Sequence, residues 1–293
     1  MTQDATSGAT VPAADAAADT SPFAIRHVRT HAEFMQCVDL QAATWGAGFR
    51  ESVPATIFKI SQRLGGVTAG AFAPDGALLG FIFGITGVER GELVHWSDLL
   101  AVDARAQNHG IGRRLKEFQR DAVRALGVTR MYWTYDPLVA RNAHFNLNRL
   151  GARVSEYVPD MYGADTGSSL HSGLGTDRFI VVWPITHSTP TRRELDGWRE
   201  APVLNATASA DGDGVATPGA VLPRLARVEI PADIFAVQQA ELTRAIQYRH
   251  STRRAFQWAL ANGYHIERFE REPSDSRGYY VLARSAVPAS ITP

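Results

Sequence analysis

Leu99-Leu-Ala-Val102 runs directly into Asp103-Ala-Arg-Ala-Gln107-Asn-His-Gly110-Ile-Gly112-Arg-Arg-Leu115. An apolar strand leads into a polar turn, and two glycines open an amphipathic helix. The first amide groups of a helix have no internal hydrogen-bond partner, and that end of the helix carries partial positive charge. Glycines remove the Cβ that would keep an anion away from those amides. Arg113 and Arg114, in the first helical turn, add donors suited to phosphate oxygens. The segment therefore reads as a phosphate- or pyrophosphate-binding loop. It is not a P-loop, because Gly112 is followed by Arg-Arg where Lys-Ser/Thr is required. It is not a dinucleotide fingerprint either, because the third glycine is replaced by Leu115 and the loop comes late in the chain.

Outward from this loop the chain alternates between strand and helix patterns. Phe23 to Val28 reads as a strand. Thr30 caps a helix through Trp45, with Glu33 completing a capping box. Glu51 to Leu64 reads as a second helix stopped by Gly65-Gly66. Val67 to Phe72 and Leu78 to Val88 are apolar strands joined by the turn Pro74-Asp75-Gly76. Glu92 to Val102 is the strand before the loop. Gly110 to Leu126 is helical, with Leu115, Phe118, Ala122 and Leu126 at helical spacing. Arg130 to Tyr135 is a strand, Ala140 to Leu150 a helix, and Ala152 to Tyr157 and Arg178 to Ile185 are strands. Hairpins come first and helical crossovers later, so the expected class is α/β, with a mixed sheet covered by helices on both faces.

The chain has 293 residues, 30 Lys plus Arg and 30 Asp plus Glu, so its formal net charge is zero. That balance gives no bulk attraction to nucleic acid or to an anionic membrane, and neither is expected as a partner. No apolar run approaches the roughly 18 residues needed to span a bilayer. Cys37, the single cysteine, lies among Phe34, Val38 and Leu40 and reads as a buried structural thiol. Residues 1–22 read as a disordered tail rather than a signal peptide, and the expected location is the cytoplasm.

The expected organisation is a first domain at 23–186, a linker at 187–222 rich in Thr, Ala, Asp, Gly and Pro, a structured segment at 223–286 and a short tail at 287–293. The last segment echoes the first domain. Arg253 lies ten residues before Gly263, as Arg141 lies ten before Gly151, and each glycine precedes an alternating strand and then an apolar one. It reads as a partial repeat without a glycine loop, packed against the first domain or a partner subunit; a homodimer is one such form. Its expected elements are a strand at Arg227 to Ile230, helices at Ala232 to Arg249 and Thr252 to Asn262, and strands at Tyr264 to Phe269 and Gly278 to Arg284.

Gln107, Gly110 and Gly112 match the motif Gln/Arg-x-x-Gly-x-Gly/Ala, and with the element order from Phe23 to Ile185 the chain resembles the GNAT superfamily of acyl-CoA-dependent N-acetyltransferases. The stretch from Arg141 to Ala152, with Glu156-Tyr and Asp160-Met-Tyr-Gly163, resembles a group of bacterial GNAT proteins. The resemblance implies acetyl-CoA or another acyl-CoA as co-substrate, no metal, and a small-molecule amine or amino acid as acceptor. It places the pantetheine arm against Leu100, Ala101 and Val102 in an opening between the fourth and fifth strands. It places the pyrophosphate at Gln107, Asn108, His109, Gly110, Ile111, Gly112, Arg113 and Arg114.

The amine would attack the thioester directly, and a base is then needed. Glu92, His95 and Asp98 on the fourth strand are the candidates; His95 and Asp98 face opposite ways by strand alternation. The tyrosine that usually protonates the leaving thiolate falls at Leu147, a departure from the pattern. Tyr157 or Tyr162 is the expected substitute, and Asn142 or Asn146 the expected polar contact to the donor. Succinyl-CoA is an alternative donor, with Arg141 and Arg178 as candidate carboxylate partners. The loop from Ser155 to Thr176 is a candidate lid. A non-catalytic acyl-CoA sensor is the alternative to an enzyme.

Overall fold

Thr30 and Glu33 begin the first helix as their spacing requires. The Thr30 hydroxyl accepts from the Glu33 amide at 3.2 Å, and the Glu33 carboxylate accepts from the Thr30 amide at 3.2 Å and from Arg26 at 2.7 Å. In the computed structural model, which describes residues 22–163, 166–168, 173–185, 195–206, 222–271 and 276–284, this helix is α1 (His31–Trp45). Residues 1–21 and 287–293 of the expected tails, and His171 of the expected lid, lie outside the described residues.

A seven-stranded sheet follows the order β1-β2-β3-β4-β5-β7-β6, from β1 (Ala24–His27), β2 (Val67–Phe72), β3 (Leu78–Glu89), β4 (Glu92–Val102), β5 (Arg130–Tyr135), β6 (Arg153–Val158) and β7 (Arg178–Pro184). Every neighbouring pair is antiparallel except β4 and β5. The β2–β3 hairpin turns where the sequence predicts, with Gly76 at φ +87° and the Asp75 carboxylate accepting from the Ala77 amide at 3.0 Å. Strand alternation sorts the apolar residues onto two faces. Phe81, Phe83, Leu99 and Ala101 face Phe34 and Cys37 of α1 and Phe58 of α2 (Ala55–Arg63). Ile82, Met131, Trp133 and Val181 face Ile111, Leu115 and Val123 of α3 (Ile111–Arg124). Cys37 is fully buried, and burial pushes its thiol up to about 12, which fits a packing residue.

Helix boundaries depart from the sequence pattern in four places. α2 begins at Ala55 and not at Glu51, because Pro54 occupies the cap position and disfavours helix before it. The inward face of α3 is Ile111, Leu115, Lys116, Gln119 and Val123, while Leu126 is exposed. The helix expected at 140–150 is a single turn, α4 (Ala140–Ala143), that widens into a π-helical turn over His144–Arg149. The two C-terminal helices divide at Glu241, which is extended, into α5 (Ile234–Ala240) and α6 (Leu242–Ala261). Helix α6 continues through the expected break because the Thr252 hydroxyl turns back to the Tyr248 carbonyl at 2.8 Å.

The C-terminal unit is a three-stranded antiparallel sheet in the order β8-β10-β9, from β8 (Leu225–Pro231), β9 (Tyr264–Arg271) and β10 (Arg277–Arg284). Strand, helix, strand, strand with the last strand in the middle is also the path of β5, α4, β6 and β7. Gly151 and Gly263 take the same left-handed conformation before β6 and β9, at φ +71° and +78°. The repeat-like pattern in the sequence is thus a repeat of connectivity. The unit packs on the first domain. Phe179, Phe256 and Tyr280 form mutual edge-to-face contacts with centroids 4.7 to 5.6 Å apart, inside one continuous core. The Asn148 side chain pairs with the Phe269 backbone in both directions. Within the 187–222 stretch, Leu195, Trp198 and Ala201 pack against Tyr279 and Val281 of β10, and Val203 bridges to Arg227.

Candidate active site

Strands β4 and β5 pair only from Val94 to Trp96 against Arg130 to Tyr132. Beyond that point they part, although β4 keeps its pairing with β3 as far as Val102. The register of β3 and β4 slips at Phe83/Gly84, so Asp98 is an extra residue in β4, a β-bulge. A bulge bends its strand and interrupts the ladder. One edge of β4 from Ser97 to Val102 is therefore left with amide and carbonyl groups facing a gap.

The gap opens into a cleft of about 360 Å³. Its floor carries Ser97, Lys116, Trp133 and Asn146. Leu100, Val139, Asn142 and Phe145 line it toward α3 and α4, and Phe235 of the C-terminal unit reaches the same space. The opposite mouth holds Trp45, Phe49, Glu51, Asp98, Tyr162, Thr166 and Arg178.

The glycine loop adjoins this cleft. Asn108 and Gly110 both have positive φ, at +66° and +77°, and the chain turns sharply into α3. No side chain caps α3, and its first internal hydrogen bond runs from the Arg114 amide to the Gly110 carbonyl at 3.1 Å. The amides of Ile111, Gly112 and Arg113 thus project from the helix start without an intrahelical partner. A Cβ at Gly112 would meet only Leu100 and Val102, at 3.9 Å, and Leu100 lines the cleft. The arm of a pantetheine thiol ester fits a gap edged by strand amides, and its pyrophosphate fits this helix start.

Other loop residues contribute shape. The Gln107 amide donates to the Val102 carbonyl at 3.4 Å, and the His109 ring contacts the Gln107 carbonyl at 2.8 Å. The Ile111 side chain is buried, so only its amide faces outward. Arg113 pairs with Glu117 at 2.8 Å, and the Arg114 guanidinium lies over the Phe23 ring at 4.7 Å.

Two catalytic expectations are corrected. His95 is fully buried and does not line the cleft. Thr86 Oγ donates to the Gly65 carbonyl at 2.7 Å, so in its 2.9 Å contact with His95 it must accept. That places the proton on Nδ1 and leaves Nε2 without a hydrogen-bond partner among the described residues. Burial above all lowers the ring to about 3. An imidazole so enclosed and so weakly basic is not the base.

Tyr157 is the second correction. Its hydroxyl donates to Asp177 in the core beneath Phe179 and Phe256, away from the cleft. Tyr162 and Tyr135 are the tyrosines that line the cleft, and Tyr162 is held by Thr134 Oγ at 3.0 Å and by Arg178 over its ring. Leu147 is a core residue in the π-turn.

Asp98 does line the cleft, on the face opposite His95 as alternation requires. Burial raises its carboxyl above the usual range, an effect to which nearby Glu51 adds. Asn142 lines the α4 side. The loop after β6 crosses the mouth and touches the α1–α2 connection, where the Arg50 amide donates to the Thr166 carbonyl at 2.9 Å. Lys116 and Ser97, which the sequence pattern did not single out, join at the cleft floor by a 2.7 Å hydrogen bond.

No family model matches the chain, and no curated protein matches it. Several solved structures are similar to part of it. One is a GNAT superfamily phosphinothricin acetyltransferase from Sinorhizobium meliloti in complex with acetyl-CoA, at 17% identity and TM-score 0.45, covering 60% of this chain and 95% of that one. Another is a chain of the NatC complex bound to Gag peptide and CoA, at 17% identity and TM-score 0.45, covering 57% and 100%. A third is an aminoglycoside 6'-acetyltransferase type Ii, at 18% identity and TM-score 0.43, covering 56% and 99%. The first domain itself has a mixed seven-stranded sheet in which β4 parts from β5 beside the uncapped start of α3.

Proposed function

We propose that this chain is an acyl-CoA-dependent N-acyltransferase that transfers an acetyl or related acyl group to a small amine by direct attack on the thioester. The observation that carries the reading is the continuity of two features: a gap between β4 and β5 edged by unpaired β4 backbone, and an uncapped helix start beside it. The amides of Ile111, Gly112 and Arg113 would hold pyrophosphate, and the backbone from Leu100 to Val102 would hold the pantetheine arm. β4 amides near the bulge would face the developing oxyanion. Asn142 and Asn146 line the cleft and would contact the donor there.

Three features support a small acceptor. The loop through Tyr162 and Thr166 narrows the mouth, the Trp45–Phe49 stack with ring centroids 5.5 Å apart closes one side, and Glu51 and Asp98 supply carboxylates for a cationic amine. Arg178 at the same mouth keeps a succinyl donor in play. The absence of a tyrosine at Leu147 supports a second reading, a non-catalytic acyl-CoA sensor.

Calorimetry with CoA and thiol release from acetyl-CoA and succinyl-CoA across an amine panel test both. Turnover of any amine supports the enzyme. Tight CoA binding without turnover supports the sensor. Gly112→Val keeps the helix but fills the approach to its amides, so CoA affinity should fall at least tenfold with little change in unfolding midpoint.

A further inference from the structure

Lys116 occupies a buried position on the inward face of α3, between Leu115 and Gln119, where an apolar side chain would be expected. Among the described residues it forms no ion pair; its amine donates to Ser97 Oγ at 2.7 Å and lies 3.9 Å from the centre of the Trp133 ring. Trp133 in turn donates from its indole to Asn146 at 3.0 Å. All four residues line the cleft. Ser97 immediately precedes the bulge at Asp98, and Trp133 follows the last paired residue of β5. The amine therefore lies in the cleft beside the point where β4 and β5 part. The reactive end of the donor's arm belongs there.

We propose that Lys116, acting through Ser97, is the proton acceptor of the transfer and then returns that proton to the leaving thiolate. This rests on the acyltransfer reading. The amine lone pair forms the new C–N bond at the thioester carbon. As the amine loses its proton to Ser97 Oγ, the Ser97 hydroxyl turns to donate to the lone pair of the uncharged Lys116 Nζ and passes its own proton there. The C–S bond then breaks with its electron pair on sulfur, and the proton returns along the same path to give the free thiol. One amine and one thioester become one amide and one thiol, with no other reactant. The relay also accounts for a cleft whose usual tyrosine position is Leu147.

The surroundings favour an uncharged amine. Burial holds Lys116 well below the usual lysine range. The groups facing it are His95 and Ser97 of β4, Gln119 of α3 and Trp133 of β5. His95 is itself neutral. Asp98 lies on the other face of β4, and Asp136 at the end of β5 is engaged by Arg249 at 2.6 Å.

The test is the pH dependence of kcat for wild type, Lys116→Met, Lys116→Arg and Ser97→Ala, with CoA affinity measured in parallel. General-base loss corresponds to a fall of roughly 100- to 10,000-fold. All three variants should show such a fall at pH 7, with CoA affinity within about threefold of wild type. Their residual rate should rise about tenfold per pH unit, as hydroxide replaces the lost base, while wild type stays flat across neutrality. Ser97→Ala, a minimal change, carries the same test if a Lys116 variant does not fold. An active Lys116→Met with the wild-type profile overturns this assignment alone. A wild type that binds CoA but turns over no amine overturns the acyltransfer reading and the assignment with it.

Discussion

Arg249 donates to Asp136 at 2.6 Å, tying α6 of the C-terminal unit to the end of β5 at the edge of the cleft. The same guanidinium donates to the Leu174 carbonyl at 2.9 Å, and Arg178 lies 3.7 Å from the same Asp136 oxygen. The carboxylate thus sits between two arginines, one from each half of the molecule. Arg249 is 2% exposed, so removing its partner strands a cation in the core. Breaking a buried pair from one side costs about 3–5 kcal/mol. Asp136→Asn should fall in that range by urea unfolding. Arg249→Met should cost less, because Asp136 keeps Arg178 and no buried cation is left behind. The double variant should cost less than the sum of the two single losses; strict additivity would mean the two residues are not coupled.

Tyr157 gives a prediction that separates structure from chemistry. Its hydroxyl, the Asp160 amide and the Arg253 guanidinium converge on Asp177. Burial opposes ionisation of Asp177, but Arg253 and Tyr157 outweigh it and hold the carboxyl below its usual range. Burial, reinforced by Asp177, drives the Tyr157 phenol upward. Such a phenol anchors a carboxylate and does not shuttle protons to a cleft it does not line. Tyr157→Phe should lower stability by about 1.5–3 kcal/mol, as for a hydrogen bond to a charged group. Its kcat should stay within about threefold of wild type. A hundredfold loss of kcat at unchanged stability would restore Tyr157 as the acid.

What could be read from the sequence was local. Gly110 and Gly112 announce a bare helix start because glycine spacing and a preceding strand are sufficient for one. The Thr30–Glu33 box and the Pro74–Gly76 turn are equally self-contained, and the order of elements then fixes the sheet. The bulge at Asp98 was not legible, since it exists only in the pairing of β4 with Phe83 and Gly84 of β3. Tyr157 alternates as a strand residue should, and nothing in that pattern names a partner twenty residues away at Asp177. Lys116 was hidden for a different reason. The stripe Leu115, Phe118, Ala122 and Leu126 shares Leu115 with the inward face but leaves out Lys116 and Gln119, and a lysine gives no sign of burial until its neighbours are in place. The Arg–Gly spacing shared by 141–151 and 253–263 has its counterpart at the glycine after each helix, where Gly151 and Gly263 take the same left-handed conformation.

The neutral His95 makes acid sensitivity a property of the first domain's core. Burial holds the folded imidazole at about 3, against an ordinary value near 6.5. The folded pKa is depressed, so between these values the unfolded chain binds a proton that the folded chain refuses. The resulting loss is absent above pH 7, begins as pH falls through about 6.5 and levels off near 3. Its slope approaches about 1.4 kcal/mol per pH unit, which gives roughly 2 kcal/mol between pH 7 and pH 5. His95→Gln keeps a side chain able to meet Thr86 but cannot titrate. Urea unfolding of both proteins at pH 7, 6 and 5 should show the stability gap between them shifting by about 2 kcal/mol in favour of His95→Gln at the lowest pH. Parallel curves would mean that the folded imidazole takes up a proton as readily as the unfolded one.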